Sequence, residues 1–260
     1  SKVSIKWVDS EFLTPEILDD TFAGVDGIII PGGFGSRGTE GMILAANYAR
    51  ENKIPFLGIC LGMQMAMVAF ARNVLGYEDA NSSELNPDTT HPVVDLMPDQ
   101  NGIENLGGTL RLGSYPCVLD KKSKAYALYG TQLINERHRH RFEINNHYRD
   151  DFTSHGMMIS GQSPDGHIVE MIELPDHPFY VGIQAHPELK SRPNHAHPLF
   201  AGFVESAEEQ GVLRRAKKLL MKRNHLSEPE AHRYLQKTSM DTGRTMTESA
   251  HMVTMLIQED

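Results

Sequence analysis

Residues 58–62 read Gly-Ile-Cys-Leu-Gly, a nucleophile between two glycines, set after an apolar strand-like run (54–59) and before a helix-forming stretch (63–71). This order is the signature of a nucleophile elbow, in which small neighbours permit a sharp strand-to-helix turn that lifts the side chain clear of a sheet. The N-terminus of the following helix favours a thiolate and a nearby oxyanion. Cys60 is therefore a candidate nucleophile for acyl chemistry. The competing explanation is a buried structural cysteine; it suits Cys117, which sits in Tyr-Pro-Cys-Val with no elbow and no helix start.

An ordinary thiol, with a pKa of ~8.5, needs a base or a positive environment to attack an amide at neutral pH. The segment Gln184-Ala185-His186-Pro187-Glu188 supplies one. His186 follows a predicted strand, at the end where a doubly wound sheet gathers its active site. Glu188, two residues on, is placed to fix the ring tautomer and stabilise the imidazolium. Spacing alone leaves a surface histidine as an equal reading.

A third feature is the loop 31–38, Pro-Gly-Gly-Phe-Gly-Ser-Arg-Gly. Gly33, Gly35 and Gly38 spell G-x-G-x-x-G, yet a dinucleotide site also needs an acidic residue at the end of the next strand, where Ile59 and Cys60 stand. The loop reads instead as a backbone cradle. The N–H of Gly33 and the N–H of Leu61 are the expected oxyanion donors.

These groups need a scaffold that brings strand ends together. The sequence predicts strands at 3–8, 27–30 and 54–59, helices at 14–22 and 39–52, then a polar, Pro-rich excursion at 81–105. Shorter strands follow at 108–112, 118–119, 136–145, 157–161, 168–173 and 180–184. Alternating β and α units with continuous apolar strands imply an α/β fold, a doubly wound mainly parallel sheet with added antiparallel strands. From residue 212 the charge balance reverses: residues 212–260 carry nine Lys/Arg against six Asp/Glu, while the whole chain carries 25 against 34. Apolar residues there recur at helical spacing (Leu213, Ala216, Leu220; Ala231, Tyr234, Leu235; Met246, Ala250, Val253, Ile257), so a three-helix module is expected over 212–260. Ser227 to Glu230 and Thr245 to Glu248 are capping boxes that start two of the helices.

The composition, 40% hydrophobic and 23% charged over 260 residues, is that of a folded globular chain, and its net charge of −9 excludes a general polyanion binder. Two distant cysteines argue against a disulfide framework or a Cys-based zinc site and for a reducing compartment. With no apolar run of ~18 residues and no secretory leader, a cytoplasmic location is expected. His138, His140, His195 and His197 lack the carboxylate or cysteine that would complete a metal set, so neither a metal nor a cofactor is expected. The start at Ser1 reads as a piece of a longer chain.

Taken together, PGGFG at 31–35, GICLGMQ at 58–64, NSSE at 81–84, RHRHRFEIN at 137–145 and HPE at 186–188, in this order, resemble the class I glutamine amidotransferase domain of CTP synthase. HPLFAGF at 197–203 adds to the likeness, which covers about residues 1–206. The resemblance implies a Cys60-His186-Glu188 triad that hydrolyses L-glutamine through a glutamyl thioester and supplies ammonia to a CTP synthase-type amidoligase domain or subunit. Glutamine would contact Gly33, Leu61, Gly62, Met63, Gln64, Glu84 and Arg141. The last two have a physical warrant, because a free amino acid presents a carboxylate and an ammonium; Arg137 and Arg139 read as the solvated face of an edge strand.

Two departures stand out. Relatives begin with a further strand and helix before the segment matching Ser1, so 1–211 is expected to lack the family's first strand and helix. The ATP- and UTP-binding amidoligase domain is also absent, and no G-x-x-x-x-G-K-[ST] occurs. This chain alone is not expected to make CTP. Residues 212–256 resemble the ANTAR family of three-helix RNA-binding antitermination domains, which implies a possible RNA partner through Lys217, Lys218, Lys222, Arg223, Arg233, Lys237 and Arg244. A packed helical extension with a solvated charged face is the plainer alternative. Two rival functions stay open: a glutamine-sensing or inactive domain regulating an RNA-binding module, and a γ-glutamyl peptidase with the same triad.

Overall fold

The computed structural model describes residues 3–96 and 111–258, and its contacts divide the chain into two compact units, Ser1–Phe203 and Val204–Asp260. The first unit is α/β. Its sheet is built from β1 (Ile28–Ile30), β2 (Phe56–Ile59), β5 (Arg111–Leu119), β6 (Leu133–His140), β8 (Met158–Gln162), β9 (Val169–Glu173) and β10 (Tyr180–Ile183), in the order β1-β2-β10-β9-β8-β5-β6. The run β1-β2-β10 is parallel and the pairs beyond it are antiparallel. A second, three-stranded sheet joins β3 (Asn81–Ser82), β4 (Pro92–Asp95) and β7 (Glu143–Ile144).

The inner parallel strands β2 and β10 are continuous apolar runs because both of their faces are covered, while on the edge strand β1 Ile29 is exposed. Every residue of β2 and β10 is buried. The helix α2 (Thr39–Glu51) starts after Gly38, whose positive φ of 70° ends the glycine loop. The helix α3 (Leu61–Asn73) is buried from Leu61 to Ala71, and its composition is apolar all round for that reason. Leu18–Phe22 (α1), Lys124–Tyr129 (α4) and Arg149–Ser154 (α5) are short connecting helices.

Two expectations change here. Residues 3–9 join no strand among the described residues, and Trp7 is 88% exposed. The alternation of Val3, Ile5 and Trp7 offers one apolar face, but a strand also needs a hydrogen-bonding neighbour, and none pairs with it. The strand expected over 108–112 is described only from Arg111, where the longer β5 begins; 108–110 and Pro98 lie outside the described residues.

The second unit is helical. The helix α6 (Pro198–Asn224), whose first turns belong to the first unit, is followed by α7 (Glu228–Thr242) and α8 (Met246–Gln258). Ala216, Leu220, Ala231, Leu235, Ala250 and Val253 form its core; the side chain of Ile257 lies outside the described residues. Both capping boxes form: the Ser227 N–H donates to Glu230 Oε2 at 2.8 Å, and the Thr245 N–H donates to Glu248 Oε2 at 2.8 Å.

Candidate active site

The site grows out of strand register. Parallel β2 and β10 pair Ile59 with Ile183, so the next residues, Cys60 and Gln184, leave the sheet side by side, with His186 two residues on. The Cys60 N–H donates to the Ile183 carbonyl at 2.7 Å, which fastens the turn to the neighbouring strand. Cys60 itself has φ 50° and ψ −104°, a strained conformation for a side-chain-bearing residue and the backbone form of an elbow. The flanking glycines are required by close approach. A Cβ on Gly58 would lie 2.7 Å from the Gly62 carbonyl oxygen, and one on Gly62 would lie 2.1 Å from the Ile30 carbonyl oxygen.

His186 is held from three directions. Its backbone N–H donates to the Arg137 carbonyl at 2.7 Å, and its Nδ1 meets Glu188 Oε1 at 2.6 Å. A Cβ built on Gly32 would sit 2.7 Å from His186 Cε1 and 3.5 Å from Cys60 Cβ, so the cysteine side chain and the imidazole converge on one glycine. The buried Nε2 is left without a hydrogen bond, and the Cys60 sulfur beside the ring, with Glu188 second, raises the imidazole to a pKa of about 10 against the opposing effect of burial. For Glu188, burial works upward, but the hydrogen bond from His186, the residue's own backbone N–H and the nearby imidazoles together outweigh it and hold the carboxyl below its usual range. Both shifts favour the imidazolium-carboxylate pair over the neutral one.

Next to Cys60 opens a cavity of about 350 Å³ lined by Gly33, Phe34, Cys60, Leu61, Gln64, Glu84, Arg139, His140, Arg141 and Phe142. The size suits a small amino acid. Gly33 and Leu61 adjoin, since a Cβ on Gly33 would lie 3.3 Å from Leu61 Cδ2, and Leu61 opens α3, where backbone N–H groups lack intrahelical partners. Glu84 and Arg141 share the wall: partial burial raises the Glu84 carboxyl, and the charge of Arg141 offsets only part of that rise.

Gly62 and Met63, expected to touch a ligand, do not line this cavity. Helical phase explains their placement: Leu61 and Gln64 are three residues apart and share a face, while Gly62 turns to β1 and Met63 is fully buried against Gly182. Arg139, expected to be merely solvated, lines the cavity with its guanidinium 5.8 Å from the Phe34 ring centre. Period-2 alternation along RHRHR was the available signal, since Arg139 and Arg141 share a parity. Phe34 and Phe142 had no signal of their own.

The opposite parity of β6 is buried and polar. His138 Nδ1 and His140 Nε2 are 2.8 Å apart, and His140 Nδ1 lies 3.2 Å from the Phe142 carbonyl. A carbonyl only accepts, so His140 donates through Nδ1, receives at Nε2 and obliges His138 Nδ1 to carry a proton. Burial, with Arg111 nearby, keeps both rings neutral and lowers His140 to about 3. Arg111 bridges Glu143 Oε1 at 3.2 Å and Glu170 Oε1 at 2.7 Å. Burial raises both carboxyls, Glu143 to about 8. Glu136 on the same strand accepts from His197 Nε2 at 3.0 Å, Tyr129 Oη at 3.0 Å and Lys190 Nζ at 3.2 Å, pinning the chain that follows His186.

Of the basic residues expected to meet RNA, Lys217 is engaged with Glu228. Lys218, Lys222, Arg223, Arg233, Lys237 and Arg244 are exposed. Among the described residues no helix is long and apolar enough to cross a membrane.

Comparison with known proteins agrees with this geometry. Residues 1–206 match the family described as glutamine amidotransferase class-I, and residues 203–253 match the ANTAR domain. A CTP synthase of Clostridium beijerinckii is 58% identical over 210 residues, which is 81% of this chain and 39% of the relative. Another, from Carboxydothermus hydrogenoformans, is 58% identical over 204 residues, 78% of this chain and 38% of the relative. The chain therefore spans about two fifths of the length of these relatives. Among solved structures, the glutaminase domain of Trypanosoma brucei CTPS with bound acivicin is similar at a TM-score of 0.76 and 37% identity, over 80% of this chain and 82% of that one. With the elbow, the strand-end histidine and these likenesses in agreement, the chain belongs to the class-I glutamine amidotransferase family, in the branch of the CTP synthase glutaminase domains.

Proposed function

We propose that this chain hydrolyses the side-chain amide of L-glutamine to glutamate and ammonia through Cys60, His186 and Glu188. The Cys60 thiolate attacks the carboxamide carbon, and the N–H groups of Gly33 and Leu61 hold the oxyanion of the tetrahedral adduct. His186 gives its Nε2 proton to the departing nitrogen, the C–N bond breaks, and ammonia leaves behind a γ-glutamyl thioester on Cys60. The now neutral ring takes a proton from water, the hydroxide adds to the thioester carbon, and the C–S bond breaks to release glutamate. Glu188 keeps Nδ1 protonated and the ring turned toward sulfur throughout. Arg141, joined by Arg139, suits the α-carboxylate, Glu84 the α-ammonium, and the Gln64 side-chain oxygen adds an acceptor.

The observation that carries this reading is the convergence of Cys60 and His186 on Gly32, with Nδ1 already committed to Glu188. The similarity to CTP synthase supports delivery of the ammonia to a CTP synthase-type amidoligase domain or subunit. The ANTAR match, with exposed Lys218, Lys222, Arg233 and Lys237, supports RNA as a partner of the 212–260 module.

The test is ammonia and glutamate release from L-glutamine by the full chain, with and without an added CTP synthase-type amidoligase. Activity lost in Cys60→Ala, by at least ~10³-fold, supports the assignment. Glutamine-dependent binding of a hairpin RNA with no turnover under either condition would point to a sensor instead. Peptide cleavage combined with an Arg141→Ala variant that keeps full activity on glutamine would point to a γ-glutamyl peptidase.

A further inference from the structure

Gln184, the residue after β10, was not among the expected site residues, yet it is fully buried against the reacting sulfur. A buried amide is costly unless its polar atoms are paired, so where its two ends point is a question with an answer. The answer starts at the Phe142 carbonyl, which only accepts. Gln64 Nε2 lies 3.1 Å from that oxygen, which sets the direction of the Gln64 amide. The same Nε2 lies 3.3 Å from Gln184 Oε1, so Gln184 accepts there and its own Nε2 faces Cys60 Sγ, at 3.6 Å. Both hydrogens of the Gln64 amide nitrogen are then in use. His140 Nδ1 donates to the same Phe142 carbonyl, so the neutral histidine pair of β6 helps hold the first member of the series.

We propose that Gln184 is a catalytic residue whose side-chain N–H donates to Cys60 Sγ and stabilises the thiolate, with its direction imposed by Gln64 and the Phe142 carbonyl. A neutral thiol accepts a hydrogen bond weakly, while a thiolate accepts strongly, so the donor favours the charged form that attacks. It also restricts the sulfur to one position on a strained residue. The inference rests on the reading of Cys60 as the nucleophile.

The test is the rate of Cys60 alkylation by iodoacetamide as a function of pH, followed on the full chain by peptide mass spectrometry. Cys117 provides a silent background, because burial raises its thiol to about 12. In Gln184→Met, which keeps the bulk and removes the donor, the midpoint of the rate profile is expected to rise by about one pH unit, a roughly tenfold slower reaction near neutrality. Gln184→Glu should move it further, because a carboxylate beside the sulfur opposes the thiolate. Gln64→Met, which frees the Gln184 amide to turn while leaving it in place, should give a smaller rise and keeps the proposal testable should Gln184 variants fold poorly. A merely structural role would not produce this order. An unchanged midpoint in the variants, with a wild-type Cys60 that titrates normally and turns over glutamine, overturns the role of Gln184 and leaves the nucleophile in place. Full glutamine hydrolysis by Cys60→Ser would instead overturn the nucleophile assignment itself.

Discussion

The ends of the parallel strands β1 and β2 and the end of the antiparallel strand β6 both lead into the cavity, yet the two regions hold their functional groups by different means. On the parallel side the positions of Cys60 and His186 follow from backbone: register, an N–H to carbonyl bond and glycines where no Cβ fits. On the antiparallel side the exposed arginines are displayed by a strand whose other face buries His138 and His140 among Arg111, Glu143 and Glu170, and Glu136 against His197, Tyr129 and Lys190. Backbone geometry tolerates no adjustment and suits reacting atoms. Buried charges are expensive and hold only while every partner is present, so that side should be the more sensitive to pH and to loss of a single partner.

This contrast can be broken from either side. The largest effect is expected at Gly32→Ala, where the added methyl would press on His186 Cε1. Glutamine hydrolysis should fall by about 10³-fold while thermal unfolding moves little, as initial rates and calorimetry would report. Arg111→Met should do the reverse. Removing the guanidinium that bridges Glu170 and the Glu143 carboxyl should cost about 3 kcal/mol in urea unfolding and raise KM for glutamine, with kcat changed only a few-fold.

A smaller effect separates orientation from chemistry. The pKa of His186 is raised, so its contribution to stability is complete below about 6.5 and disappears as pH climbs through about 10. Removing the second of its two raising partners in Glu188→Gln should lower the alkaline limb of the pH–rate profile by about one pH unit and slow turnover about tenfold at neutral pH. The smallest change concerns Glu143, whose protonated form is favoured by burial up to about pH 8. Its contribution is full below the ordinary value near 4.5 and declines as pH rises toward 8. Glu143→Gln should therefore flatten the loss of stability between pH 5 and 8 by on the order of 1 kcal/mol, measured by urea unfolding at both ends.

The elbow and the His-Pro-Glu segment were legible because their chemistry is local: glycines flank the cysteine, and base and carboxylate lie two residues apart. The α/β alternation was legible from continuous apolar strands. Residues 3–9 misled because alternation is a property of one segment, whereas a strand needs a neighbour. Gly62 and Met63 were grouped with Leu61 and Gln64 by adjacency, although helical phase separates them. Gln184 and the buried face of β6 were hidden for a third reason. Their partners are far away in sequence: Gln64 lies 120 residues before Gln184, and Arg111 lies 59 before Glu170. A polar residue paired over such separations reads locally as a solvated one.

The most direct measurement is mass spectrometry of the chain acid-quenched during turnover of L-glutamine. A γ-glutamyl group on the peptide carrying Cys60, absent in Cys60→Ser, is the expected result. Continued release of ammonia with that peptide unmodified at every quench time, or with Cys60 replaced by serine, would contradict a covalent route through this sulfur.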